Sequence, residues 1–370
     1  MNFEYHMPTR VIFGSGVLDR LGEIVGESDA GKALIVTGSG SMRKTGVLER
    51  VISLLGDVSV EVFDNVESDP SVDTIDDAVE YAREVDLIVG LGGGSPLDAA
   101  KAISAVVGNG GNAGDYLKGR GIKNPGPGMV AIPTTSGTGT EVTQISVLSD
   151  RKTMIKKSIR SPLIYPRVAL DDPTLTRTMP REVTAYTGMD ALTHAIEAYS
   201  SLKSQPMTDI LCMEAVRIVL DNIENAYVDG GDMVTRERMM YASLIAGFGI
   251  THASAGLAHG LSYAVWRVAG VPHGVAVGLL LPHVMMFNMK AVGGKFDALA
   301  EYCGLCDAGE LVSRIVEVKE SIGIPARLGG IGVGVDDVDS MVELGLGGST
   351  KANPRMVDGD LLAAFIGGII

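Results

Sequence analysis

Short β-branched runs alternate with amphipathic helical segments through the first half of this chain, and then the alternation stops. The runs fall at 33–37 (ALIVT), 58–63, 86–91 (DLIVGL), 129–133 and 168–170. Between them lie stretches such as 46–55 and 72–84, with apolar residues at helical spacing. Strand, helix, strand at this pitch predicts βαβ units and a mostly parallel sheet. From about Pro180 onward only long segments of helical period remain, at 181–200, 207–228 and 235–248. The turn-rich DDPTLTRTMP marks the change. The chain, at 370 residues, also exceeds what one hydrophobic core usually serves. The expected organisation is an α/β domain over 1–179 followed by an all-helical domain over 180–370.

Composition narrows the function classes. A net charge of −14 offers no basic face to a polyanion, which argues against nucleic-acid binding. The start, MNFEYHMPTRVIFG, lacks the basic lead and apolar core of a signal peptide. The longest apolar stretch, 275–287, is interrupted by Gly278, Pro282 and His283 and reads as too short to span a bilayer. Three cysteines cannot build a disulfide framework, so a cytoplasmic location is expected. Cys303 and Cys306 form a C-x-x-C, but no second such pair exists, and the flanking sequence reads as a helix end.

Three loops follow the expected strands, where open α/β sheets place their ligands. Leu91-Gly92-Gly93-Gly94-Ser95-Pro96-Leu97-Asp98 opens a helix. Its glycines let backbone amides approach an anion, Ser95 can cap the helix, and Pro96 suits the first turn. An ordinary tight turn fits the same residues, and the loop is not the G-x-G-x-x-G fingerprint. The second loop, Pro133 to Glu141, carries five hydroxyl side chains within seven residues, able to donate to phosphates, ribose or an amide. The third, Gly38-Ser39-Gly40-Ser41-Met42-Arg43-Lys44, has no acid to receive ribose hydroxyls, while its serines and cations could take a 2′-phosphate.

Asp190 and His194 stand four residues apart, one helical turn, and so share a helix face. His259 and His273 follow sixty-five and seventy-nine residues after His194. One carboxylate and three imidazoles complete a divalent-metal ligand set, and such groups are costly to bury unless paired. An N₃O set suits Fe²⁺, Zn²⁺, Co²⁺ or Ni²⁺. His6, His252 and His283 read as structural.

Together these motifs resemble the iron-containing (group III) alcohol dehydrogenases. The matching pieces are VIFGSGVLDRLGEIV, GGGSPLDAAKAI, AIPTTSGTGTEVT, GMDALTHAIEAYSS, GLAHGLSY, VPHG, LLPHVMMFN and NPR at 353–355, which run in the family's order over nearly the whole chain. The resemblance implies a Rossmann-like parallel sheet with a helical metal-binding domain, the dehydroquinate synthase-like architecture. In that family the metal ligands fall on Asp190, His194, His259 and His273, and the metal is Fe²⁺ or, in some members, Zn²⁺. The cofactor contacts fall on Ser39, Gly93, Gly94, Ser95, Asp98, Thr134, Thr135, Thr138, Val147 and Lys156. Gly38 stands where NADH-using members often carry an acid, so NADP(H) is expected over NAD(H).

Asp98 is also carried as a catalytic candidate, with Tyr263. Many members have a further histidine four residues past the third ligand as a proton relay. Here Tyr263 holds that place, and a phenol, with a pKa near ~10, is a poorer relay at neutral pH. The implied reaction is hydride transfer between nicotinamide and a small primary alcohol, diol or aldehyde, with the metal as Lewis acid. A homodimer is implied by family habit. Zinc glycerol-type dehydrogenases and dehydroquinate synthase-like lyases share the scaffold. His194 argues against the first, and the absence of a basic cluster in the C-terminal half argues against the second.

Overall fold

The computed structural model describes residues 2–370 and divides into two compact units. One comprises His6–Thr135 and Gly139–Thr178. The other comprises residues 2–5, Ser136–Thr138 and Met179–Ile370. A single cut between residues 179 and 180 therefore misses two short excursions. The N-terminal residues, and three residues of the hydroxyl-rich loop, pack with the helices.

The first unit is built on a six-stranded parallel sheet. Its strands are β1 (Arg10–Phe13), β2 (Lys32–Gly38), β3 (Ser59–Val66), β4 (Leu87–Gly92), β5 (Gly128–Pro133) and β8 (Val168–Asp171), in the order β1-β8-β5-β4-β2-β3. All five strands expected from the β-branched runs are present. Beside the sheet lies an antiparallel hairpin, β6 (Ile145–Asp150) and β7 (Ile155–Arg160), which the strand pattern did not reveal. The helices are α1 (Leu21–Gly26), α2 (Ser41–Lys44), α3 (Val47–Leu54), α4 (Val72–Val79), α5 (Gly94–Asn109) and α6 (Ala113–Leu117).

Both faces of the sheet are covered, so β4 and β5 carry no polar side chain and β2 is apolar from Ala33 to Val36. Leu34 and Val36 of β2 pack with α4 and α5 residues such as Ile75 and Ile103. Ala33 and Ile35, one residue out of phase, face the opposite core with Leu48 and Val51 of α3. With its faces filled, such a sheet presents a ligand site at the carboxyl ends of its strands.

The second unit is helical: α7 (Arg181–Ser200), α8 (Pro206–Val228), α9 (Met233–Ala253), α10 (Leu257–Ala269), α11 (His273–Tyr302), α12 (Ala308–Ser321), α13 (Val338–Gly345) and α14 (Gly359–Gly368). The apolar stretch read as too short for a bilayer lies inside the thirty-residue α11, which by length and composition alone could cross one. Instead Val275, Leu279, Leu280 and Val284 are buried in the helical core beside Met189 and Leu192 of α7. The helix breaks at Val292, where φ is −135° and ψ is 24°. All three cysteines are free thiols, and burial pushes the Cys303 thiol up to about 12. Such thiols are inert at neutral pH.

Candidate metal centre and cofactor loops

Helix α7 carries Asp190, His194 and Glu197 at i, i+4 and i+7, a spacing that lines one face. Asp190 and Glu197 are buried, with 4% and 3% of their surfaces exposed. Helix α10 supplies His259 from its third position, and α11 supplies His273 as its first residue. That first turn of α11 lies close against α7. A Cβ on Gly274 would stand 2.1 Å from the Tyr186 carbonyl oxygen, so only glycine allows the approach.

The result is convergence on one atom. Oδ1 of Asp190 lies 3.4 Å from Nε2 of His259, 3.6 Å from Nε2 of His273 and 3.8 Å from Nε2 of His194. Ligand atoms of Asp190, His259 and His273 all fall within 4.8 Å of one another. The His194 ring stacks on that of His259, with centroids 4.5 Å apart and planes 15° from parallel. The buried Oδ1 of Asp190 and Nε2 of His259 make no hydrogen bond.

The far nitrogens of two of these rings are engaged. Nδ1 of His259 donates to Oε2 of Glu197 at 2.6 Å, and Nδ1 of His194 faces the Gly137 carbonyl at 3.4 Å. Carbonyls and carboxylates accept, so both rings carry a proton on Nδ1 and turn Nε2, the nitrogen left to bind a cation, toward Asp190. A buried carboxylate ringed by imidazole nitrogens calls for positive charge among them, a metal ion or the second proton of an imidazolium. The donor set, its convergence and its unbonded atoms therefore fit a divalent metal.

Electrostatics agree. Burial alone would raise the Asp190 carboxyl, but the imidazoles of His194, His259 and His273 hold it well below the usual carboxylate range. Burial pushes His194 below its ordinary value, against the pull of Asp190. Burial also works against a charged His259, yet the Asp190 and Glu197 carboxylates lift it to about 9. The surroundings favour positive charge at this point. Tyr263, also on α10, has its ring centroid 6.3 Å from that of His273. Of the histidines read as structural, His252 packs on the Tyr5 ring at 4.2 Å and Nε2 of His283 donates to the Ala326 carbonyl, while His6 is exposed.

In the α/β unit a separate cavity is lined by Gly38, Ser39, Ser41, Glu67, Ser68 and the Gly92–Pro96 loop. Gly92 adopts φ +139°, which turns the end of β4 sharply into α5 and is open to glycine alone. No side chain caps α5. Ser95, expected as a cap, instead accepts through Oγ from the Asp69 amide at 3.2 Å. The first turn of a sixteen-residue helix thus leaves its amides for an anion at the cavity.

The remaining cofactor candidates divide. The Thr134 amide donates to the Gly92 carbonyl at 2.9 Å, and a Cβ on Gly93 would stand 3.3 Å from Cγ2 of Thr135, so both threonines border the cavity loop. Asp98 is committed inside the unit, accepting from the Thr140 hydroxyl at 2.6 Å and the Val147 amide at 2.9 Å. Nζ of Lys156 pairs with Asp69 at 2.6 Å. Thr138 belongs to the helical unit.

Sequence reasoning missed two residues. Glu197 is the third member of the α7 face, and its i+7 spacing was visible. Lys101 is fully buried, and its Nζ donates to the carbonyls of Thr140 and Ile145 and to the hydroxyls of Thr140 and Thr143, at 2.5–3.0 Å. Nothing local distinguishes it from a surface lysine on an amphipathic helix.

Comparison with known proteins accords with this arrangement. The family described as iron-containing alcohol dehydrogenase matches residues 8–173, and the family's C-terminal domain matches residues 184–366. The chain is 37% identical to 1,3-propanediol dehydrogenase of Citrobacter freundii over 95% of each protein. It is 35% identical to the NADPH-dependent butanol dehydrogenase of Clostridium saccharobutylicum, covering 96% of this chain and 95% of that one. The crystal structure of sulfoacetaldehyde reductase from Bifidobacterium kashiwanohense in complex with NAD⁺ superposes with a TM-score of 0.94 at 29% identity, over 100% of this chain and 99% of that one. With both halves matched, and a glycine-loop cavity and a convergent Asp-His₃ cluster each built as the fold requires, this chain belongs to the iron-containing alcohol dehydrogenases, as an NAD(P)-dependent oxidoreductase of alcohols and aldehydes.

Proposed function

We propose that Asp190, His194, His259 and His273 hold one divalent cation, iron by preference with zinc as an alternative. The substrate class proposed is small primary alcohols, diols and their aldehydes. The observation that carries the metal reading is the approach of three imidazole Nε2 atoms to one buried carboxylate oxygen. When bound, the metal supplies Lewis-acid polarisation of the substrate oxygen, which makes hydride departure from, or arrival at, the adjacent carbon accessible at neutral pH. The protein's part is positional. Asp190 supplies the compensating negative charge, while the Gly137 carbonyl holds the His194 ring in the tautomer that offers Nε2. His259→Ala should lose bound metal and activity together, read by elemental analysis beside absorbance at 340 nm with a panel of aldehydes. Full activity in a metal-free preparation would refute the assignment.

Ser39, Gly93, Gly94, Ser95, Thr134 and Thr135 are proposed to hold the dinucleotide, with Asp98, Val147 and Lys156 shaping its site. Asp98 acts there by bracing the Thr140 turn against the hairpin. Its carboxyl is pushed up by burial, although Lys101 and Thr140 pull it down. NADP(H) is the proposed cofactor. Gly38 ends β2 without a carboxylate, Ser39 and Ser41 line the cavity, and a relative of 35% identity is named for NADPH. Glu67 lines the same cavity, its carboxylate held by Thr74 and Ser71. NADPH should therefore exceed NADH in kcat/KM several-fold, and Glu67→Gln should widen the ratio; NADH winning in the wild type sinks the preference.

Tyr263 is the proposed proton relay, on its place one turn past His259 and its nearness to His273. Tyr263→Phe should lower kcat and flatten its pH profile while leaving metal content unchanged. Relatives named for propanediol and butanol support the substrate class. A cytoplasmic homodimer is proposed as the working form. Three free thiols suit a reducing compartment, and light scattering of the purified protein tests the dimer.

A further inference from the structure

We propose that Glu197 is a positioning residue for the metal centre: it fixes His259 as the Nδ1–H tautomer, so that Nε2 is permanently available to the cation. The inference rests on the reading of His259 as a ligand, and goes beyond it by assigning a fifth residue that touches no metal.

Four N–H groups surround the Glu197 carboxylate. Oε2 accepts from the Gly256 amide at 2.9 Å and from Nδ1 of His259 at 2.6 Å, with the His259 amide at 3.5 Å. Oε1 accepts from the Ala258 amide at 2.6 Å. These amides open α10, whose own N-cap position is Gly256 and offers no side-chain acceptor. One carboxylate from α7 thus fixes where the His259 helix begins and how its ring is turned. The NPR motif serves the same corner. Asn353 exchanges amide hydrogen bonds with Asn288 of α11 at 2.9 and 2.8 Å, and donates to the Arg355 carbonyl.

Capping alone requires only acceptors for the backbone amides. The short bond to Nδ1 does something more. A neutral imidazole has one N–H, and a carboxylate at Nδ1 draws it there, leaving the Nε2 lone pair 3.4 Å from Oδ1 of Asp190. An amide in place of Glu197 cannot satisfy all four donors. Its oxygen serves one side, while its NH₂ either opposes a backbone N–H or donates to Nδ1 and so drives the imidazole proton onto Nε2. Outer carboxylates of this kind are worth roughly 10–100-fold in metal affinity.

The test compares Glu197→Gln with the wild type in zinc-loaded and chelated forms. Zinc release to a chromogenic chelator should be about 10–100-fold faster in the variant. The rise in Tm on adding zinc should shrink, while the chelated forms differ less. An unchanged release rate overturns the proposal, as does an equal fall in Tm in both forms, which marks a helix cap and nothing more. A wild type that binds no zinc, or a His259→Ala variant that keeps it, instead removes the ligand reading beneath. Should Glu197→Gln not fold, zinc-loaded wild type with ¹⁵N-labelled histidine decides the matter. A strongly deshielded, slowly exchanging proton on Nδ1 of His259 is expected, and a rapidly exchanging one contradicts the bond.

Discussion

Glu141 and Asp171 show how far a residue's chemistry can lie from its place in a motif. Glu141 closes the hydroxyl-rich loop and Asp171 ends β8, and both are buried. Both oxygens of Asp171 lack a hydrogen-bond partner. Burial, against the pull of Lys101, pushes Glu141 up to about 7, and burial together with the Glu141 charge raises Asp171 well above its ordinary value. A carboxyl raised in the folded state favours the fold when protonated. That contribution is complete below the unfolded value near 4.5 and is lost as pH climbs through about 7. Glu141→Gln, a permanent mimic of the protonated form, should therefore gain Tm relative to the wild type between pH 5 and pH 8. A difference between the two that stays flat with pH would disprove the account. None of this was legible in the sequence. Asp190 and His194 could be paired because their partner was one turn away. Glu141, Lys101 and Glu197 take their meaning from groups brought near by the fold.

Elements were legible where pattern and burial coincide. The central strands are buried on both sides, so their residues form unbroken apolar runs. β1 is a four-residue edge strand with one buried position, and the hairpin mixes Lys156, Lys157 and Arg160 into its pairing, so neither announces itself. Helix α11 was underestimated because Pro282 and His283 interrupt its apolar run without ending it. Glycines now acquire separate duties. Gly94, at the first turn of α5, borders the cavity, and Gly94→Val should raise the cofactor KM while leaving bound metal intact. Gly274→Val places a side chain against the Tyr186 carbonyl and must push the start of α11 away from α7. It should cost roughly 1–3 kcal/mol in denaturant unfolding and lower metal occupancy, since His273 moves with that turn. An unaltered metal content would mean that α11 tolerates the shift.

For the whole molecule, a cation at the proposed site would be a folding ligand as well as a catalytic one. Three helices far apart in sequence meet through Asp190, His259 and His273, so chelation should lower Tm and re-addition should restore it. At a thousandfold excess over the dissociation constant the stabilisation is about 4 kcal/mol. A Tm indifferent to chelation would show that the ligands do not meet in one ion.

The excursion of Ser136–Thr138 into the helical unit bears on how the gene can be dissected. The family match breaks between residues 173 and 184, which invites expression of each half as a separate fragment. The chain, however, passes between its units at 5/6, 135/136, 138/139 and 178/179. A C-terminal fragment starting near Met179 would carry every proposed ligand yet lack Gly137, whose carbonyl meets the His194 ring. The proposed metal centre draws on two segments of the chain, Ser136–Thr138 and Met179–Ile370, and a cut at the family-match boundary separates them.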